Sequence, residues 1–332
     1  MARTISYREA IDEALAQEMA RDESVIVLGG APGAAQGLFP GRVLDTPASE
    51  SAFVGAAIGA ATRGQRPVAE LVSIDFMGAG IDQIFNQAAK FRYMFGGNAR
   101  TPVVIRTAYG AGLRAAAQHS QCLYPIFTHI PGLKVVVPSS PYEAKGLLIR
   151  SIRDDDPVVF CEHRALYETS GEVPEDSYTI PFGRANVVRE GGDVTIVAIG
   201  RMVAMARQAA GELAATGIEA EVIDPRTTSP LDTGTILASV GKTGRLVVVD
   251  EASPRCNLAT DISALVAKEA FGALRAPIEM VTPPHTPVPF SDALEDLYIP
   301  DAQKVLNAAK AVVEYRRSSS AVHSGLNGGG AG

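Results

Sequence analysis

Cysteine is scarce in this 332-residue chain: Cys122, Cys161 and Cys256 are far apart, odd in number and without a paired metal-ligand spacing. That points to a reducing compartment. A basic excess is also absent. The formal net charge of -7 gives no electrostatic footprint for nucleic acid or an anionic membrane. No apolar run is long enough to cross a bilayer, and the opening residues carry no basic region leading into an apolar segment. A soluble cytoplasmic protein is the expectation. What is present is core material: 46% hydrophobic and 20% charged residues, which fits two domains of ordinary size and excludes chain-wide disorder.

Apolar periodicity lays out the elements. Residues 6–20 read as an amphipathic helix, with Ser6 as cap, Glu9 at the capping-box position, and Ile11, Leu15 and Met19 along one face. A strand over 24–28 enters a glycine-rich loop at 29–35, which has neither the dinucleotide fingerprint nor the lysine-serine ending of a phosphate loop. Strands over 42–44, 67–72, 102–106, 134–137 and 158–160 alternate with helices over 51–62, 79–95 and 142–153. After a polar connection at 171–183 the pattern resets. Strands at 194–199, 219–224, 245–250 and 277–281 go with helices at 203–216, 258–271 and 301–316. The expected fold class is α/β, two mostly parallel layered sheets. The domains are expected at 1–183 and 184–317, with a disordered tail over 318–332.

Three places offer chemistry. Glu50 stands where the 42–44 strand gives way to a small-residue helix. It is either a first-turn glutamate favoured by the helix dipole or, if buried without a cation, a proton-exchanging carboxyl with a raised pKa. His119 follows the flexible turn at 109–112, where a polar group can face a crevice at the carboxyl edge of a parallel sheet; the alternative is a hydrogen-bonded structural histidine. His129 reads as structural. The turn Asp154-Asp155-Asp156 is either solvated or able to contribute oxygens to a cation.

At Glu50 and His119 the chain resembles a known family over almost everything from Ile5 to Val313. The stretches that carry the resemblance are RVLDTPASESAFVGAAIGAA at 42–61, IDQIFNQAAKFRYMFGG at 81–97 and AQHSQCLYPIFTHIPGLKVV at 117–136, reinforced by AKGLLIRSIRDDDPVVFCEH at 144–163 and EVIDPRTTSPLD at 221–232. They resemble the beta subunit of the thiamine-diphosphate-dependent first component of 2-oxo acid dehydrogenase complexes. FRYMFGG, RTAYGAG and HSQCLYPIFTHIPG look most like the acetoin-cleaving branch. The resemblance implies transketolase-like pyrimidine-binding and C-terminal domains. It makes Glu50 the proton partner of the cofactor's aminopyrimidine and places Leu71, Val72 and Phe76 beside that ring. His119 becomes the active-centre histidine.

The implied reaction cleaves acetoin to acetaldehyde and passes an acetyl group to a lipoyl arm of an acyltransferase component. Pyruvate or a branched-chain 2-oxo acid is the alternative substrate, and a non-catalytic subunit the alternative role. No Gly-Asp-Gly segment with a distant asparagine is present, so magnesium and diphosphate fall to an alpha partner in an alpha2-beta2 heterotetramer. The resemblance also implies a structural potassium ion near Val103, Ser151, Ile152, Asp154 and Asp156. Two departures bear on substrate and proton traffic. The passage from Leu28 to Phe39 is short and lacks the family's acidic groups, and Ser73 replaces a larger apolar or aromatic residue.

Overall fold

Ser6 ends one element and starts another. In the computed structural model, which describes residues 2–29 and 35–315, strand β1 (Ala2–Ser6) runs directly into helix α1 (Tyr7–Arg21). The Ser6 hydroxyl accepts from the Glu9 N–H at 3.2 Å, and the Glu9 carboxylate accepts from the Ser6 N–H at 2.7 Å. The expected capping box is present. Tyr7, Ile11, Leu15 and Met19 form the buried face of α1, each worth about 1.5–3 kcal/mol on transfer from water.

The chain continues through β2 (Val25–Gly29), α2 (Ala35–Leu38), β3 (Val43–Leu44), α3 (Glu50–Thr62), β4 (Arg66–Leu71), α4 (Ala89–Met94), β5 (Val104–Tyr109), α5 (Tyr124–Thr128), β6 (Lys134–Val136), α6 (Pro141–Ile152), β7 (Val158–His163) and β8 (Ser170–Pro174). The second half holds β9 (Asn186–Arg189), β10 (Val194–Ala198), α7 (Met202–Ala214), β11 (Ala220–Asp224), β12 (Thr227–Ser229), α8 (Thr233–Thr243), β13 (Leu246–Val249), α9 (Leu258–Glu269), β14 (Glu279–Val281), α10 (Asp292–Tyr298) and α11 (Ala302–Glu314).

Strand order in the first sheet is β12-β6-β7-β5-β4-β2-β3, parallel except for β12 at one edge. The second is β14-β13-β10-β11-β9, parallel except for edge strand β9. Helices α1 and α6 cover one face of the first sheet, and α7 and α11 one face of the second. A single apolar cluster joins the two other faces, running from Phe53 and Ile105 through Val159 to Ile223 and Val248. Each sheet is therefore buried on both sides, which is why its strands read as continuous apolar runs.

Several elements differ from expectation. The β1–β8 antiparallel pair and helices α8 and α10 are additional. Strands β5 and β7 run on to Tyr109 and His163 because Arg106, Glu162 and His163, polar in sequence, pair inside the fold. The helix expected over 79–95 is a 3-10 stretch (Ile74–Gly80), a π turn (Gln83–Ala88) and then α4. Changing the residues per turn shifts the buried face, so Ile84, Ala88 and Ala89 are buried while Ile81 is exposed. Residues 30–34 of the glycine loop and the tail expected over 318–332 lie outside the described residues.

Candidate active site

Parallel strands deliver their carboxyl ends to one edge, and the side chains there face a shared crevice. Strand β4 ends at Leu71, so Val72, Ser73 and the 3-10 stretch carrying Phe76 follow at that edge; β5 ends at Tyr109 and leads to His119; β7 ends at His163, before Arg164. Together they line a cleft of about 580 Å³. Four of the expected residues, Leu71, Val72, Phe76 and His119, meet in it. Phe76 and His119 pack edge to face, ring centres 5.4 Å apart at 72°. Val72 and Phe76 are 58% and 38% exposed, an apolar surface open to a flat ring.

The base of the cleft is charged. The Arg106 guanidinium bridges Glu70 and Glu162, and Tyr167 donates to Glu162 at 2.9 Å. Burial pushes the Glu70 carboxyl up in spite of Arg106. Its Oε2 is buried without a hydrogen-bond partner among the described residues. Burial opposes the charge on Arg106, but Glu162 and Glu70 outweigh it and hold the guanidinium firmly cationic. Acidic residues inside apolar strands, as in AELV and FCEH, were the sequence signal for this cluster, since a buried charge needs a partner.

Further contacts fix the rim. Asp75 accepts from the Gln121 N–H at 3.1 Å and from its side-chain amide at 2.9 Å, and takes the Ser73 hydroxyl on its other oxygen. Arg164 donates to the His119 carbonyl at 3.0 Å. Ser73 itself is buried and committed to Asp75.

Glu50 is the first residue of α3, with its backbone against Gly80: a Cβ there would lie 3.5 Å from the Glu50 carbonyl oxygen. It is half-buried, which fits the first-turn alternative and falls short of the full burial that the other alternative needs. Its carboxylate makes no hydrogen bond or ion pair among the described residues. His129 is exposed at the end of α5, beside a separate cleft shared with Cys256.

Val103, Ser151, Ile152, Asp154 and Asp156 gather at the opposite edge, before β5 and β7. Arg66 donates to the carbonyls of Ile152 (3.1 Å) and Asp154 (2.9 Å), and the Val158 N–H to that of Val103 (3.0 Å). Lys134 reaches the carboxylates of Asp154 (2.5 Å) and Asp156 (3.0 Å), with Arg150 and Arg92 completing the pairs. The carboxylates are thus neutralised by the protein itself, while each carbonyl keeps a second lone pair. Among the described residues, no group of three or more His, Cys, Asp or Glu side chains is placed to hold a metal ion. No described helix is long and apolar enough to cross a membrane.

Comparison with known proteins agrees with this architecture. The family model for the transketolase pyrimidine binding domain matches residues 3–170, and that for the transketolase C-terminal domain residues 183–305. A solved split-gene transketolase, described as an inactive beta4 tetramer, superposes with a TM-score of 0.79 at 25% identity, covering 93% of this chain and 98% of its own. Acetoin:2,6-dichlorophenolindophenol oxidoreductase subunit beta of Cupriavidus necator is 64% identical over 330 residues, covering 93% of this chain and 98% of the relative. The protein of the same name from Bacillus subtilis is 53% identical, covering 92% and 96%. Pyruvate dehydrogenase E1 component subunit beta of Rickettsia felis is 46% identical, covering 94% and 99%. The chain belongs to the beta subunits of the thiamine-diphosphate-dependent 2-oxo acid dehydrogenases, and is a partner-dependent oxidoreductase subunit with greater identity to these acetoin-type relatives than to the Rickettsia pyruvate-type one.

Proposed function

We propose that this chain is the beta subunit of an acetoin-cleaving enzyme that releases acetaldehyde and passes the acetyl group to a lipoyl arm. The observation that carries the reading is the cleft in which Phe76 and His119 meet beside Leu71 and Val72, with Glu50 at the neighbouring helix start. Its apolar wall suits an aromatic ring. The cofactor would rest on Val72 and Phe76, and bound thiamine diphosphate supplies the carbon nucleophile and electron sink for breaking the bond between acetoin's two oxygen-bearing carbons. Glu50 exchanges a proton between its carboxylate oxygen and a ring nitrogen. The His119 imidazole, free of hydrogen bonds among the described residues, offers an N–H to the oxyanion that develops at acetoin's carbonyl oxygen and, once that proton is given up, takes the proton of the neighbouring hydroxyl as the carbon–carbon bond breaks and acetaldehyde leaves.

Magnesium and the diphosphate belong to an alpha subunit in this reading, in an alpha2-beta2 assembly. Exposed Tyr93, Met94 and Phe95 form a contiguous apolar segment, which supports burial against another chain. A potassium ion at the opposite sheet edge would be held by the carbonyls of Val103, Ser151 and Ile152, with Asp154 and Asp156 already paired. The test is reconstitution with the alpha subunit, thiamine diphosphate and magnesium, following acetoin-dependent reduction of an artificial acceptor. Acetaldehyde without carbon dioxide is expected. Turnover of pyruvate with carbon dioxide release, and none of acetoin, would favour the 2-oxo acid reading, which draws its support from the Rickettsia relative.

A further inference from the structure

The segment that carries His119 is held in a conformation its own residues disfavour. After β5 the chain passes through Gly110 (φ 99°), Gly112 (φ 103°), Arg114 (φ 56°) and Ala116 (φ 63°, ψ 177°). Ala116 occupies a region that is essentially glycine-only, and such a residue persists only where its surroundings over-determine it. Gly110 has no room for a side chain, since a Cβ would lie 2.3 Å from His163 Nε2. The strain ends at the 3-10 turn Ala117–His119, whose last N–H donates to the Ala116 carbonyl at 3.2 Å.

What holds this segment comes from the other half of the chain. Glu295 on α10 is 0% exposed, and both of its oxygens face the loop. The Gly112 N–H donates to Oε1 at 2.6 Å, and the Arg114 N–H (3.2 Å) and guanidinium (2.9 Å) donate to Oε2. Glu251, just after β13, accepts from the Ala111 N–H at 2.8 Å, and Arg201 donates to the Ala111 carbonyl at 3.3 Å. His163 takes the Ala165 N–H on Nδ1, so its proton sits on Nε2 and goes to the other Glu251 oxygen at 2.8 Å. Neither acid lines the cleft.

We propose that Glu295 is a positioning residue: its carboxylate clamps residues 112–114 so that the strained turn behind them sets the His119 ring against Phe76. This rests on the reading that His119 works in the cleft. Only a carboxylate fits the task, because it presents acceptors on both oxygens to three donors. A glutamine would turn an NH2 group toward a backbone N–H or a guanidinium, freeing one side of the loop to relax.

The test compares the complete complex carrying Glu295→Gln, His119→Ala or both, with the ring resonances of His119 followed in 13C-histidine-labelled protein. Glu295→Gln is expected to lower kcat for acetoin by about 10²-fold with KM little changed, the scale on which a small misplacement acts. It should cause no further loss in the His119→Ala background. The His119 ring signal should shift, as it should in Phe76→Ala, while that of His285, held to Ser253 outside the cleft, stays. Adding Ala116→Gly, which relieves the strain without the clamp, should recover part of the activity and keep the variant folded. An unshifted His119 signal, or equal losses in both backgrounds, overturns the proposal. A shifted signal with full turnover upholds the clamp and overturns the role of His119 in the proposed function.

Discussion

At Glu50 the available chemistry is set by what the carboxylate does not touch. It starts α3, makes no hydrogen bond or ion pair among the described residues and is half-open to solvent. Glu50→Gln keeps the size and the backbone start while removing proton exchange. Turnover of the reconstituted complex should fall by about 10²- to 10⁴-fold, with the melting temperature almost unchanged; undiminished turnover would reject Glu50 as the proton partner. His119→Ala should lower turnover while cofactor binding persists, because Val72 and Phe76 still present the apolar wall. Titrating the cofactor against the fluorescence of the complex separates the two effects. Weakened binding with normal turnover at saturation would assign the imidazole to the wall and not to the chemistry.

Among the elements, starts and stops were legible where a local rule governs them. Ser6 and Glu9 are three residues apart and satisfy each other's backbone donors, so their pattern alone located α1. Ser6→Ala should cost about 1 kcal/mol, read as a lower urea midpoint with the slope unchanged. A change in slope would mean that the substitution altered the unfolded ensemble or the cooperativity instead. Gly132 has no such local signature. Its φ is 99°, and a Cβ would fall 2.0 Å from the Ala89 carbonyl oxygen at the start of α4. The close approach brings together chain segments over forty residues apart, and the sequence marks it only as a glycine before a strand. The broken helix after Ser73 was hidden for the same reason. The 3-10, α and π turns all present apolar residues at intervals of about three to five, and packing selects among them.

Across the whole molecule, one acidic pair joins the two halves. The Ser139 hydroxyl lies 2.5 Å from Asp224 Oδ2 and 2.6 Å from Glu143 Oε2, and one hydroxyl proton cannot serve two carboxylates. Both contacts are satisfied only while one of the carboxyls is protonated. Burial and the neighbouring Glu143 charge push the Asp224 carboxyl well up. At Glu143, burial acts upward, but Arg226 and Ser139 outweigh it and hold the carboxyl down. Both directions make Asp224 the member of the pair that keeps a proton to higher pH. A carboxyl whose pKa is raised on folding contributes stability that is complete below its unfolded value and is lost as pH rises through the folded one. Asp224→Asn, which fixes the protonated shape, should have a melting temperature that falls less than the wild type's as pH is raised above the ordinary aspartate range. Parallel curves would show that the proton is not on this pair.

The two α/β sheets, the α1 cap, most strands and, through resemblance, the family are readable in the residues alone. These rest on burial periodicity, on turn chemistry and on local motifs, all readable from neighbours in the chain. Tertiary structure alone decided which polar groups meet. Arg106 finds Glu70 and Glu162 because parallel pairing sets β4, β5 and β7 side by side. Glu295 meets Gly112 across 183 positions. Glu50 stays half-open because α3 starts at the surface. A side chain's spacing tells which way it faces, but the partner it faces is fixed only when distant elements pack, and the chemistry of the cleft is made of those distant meetings.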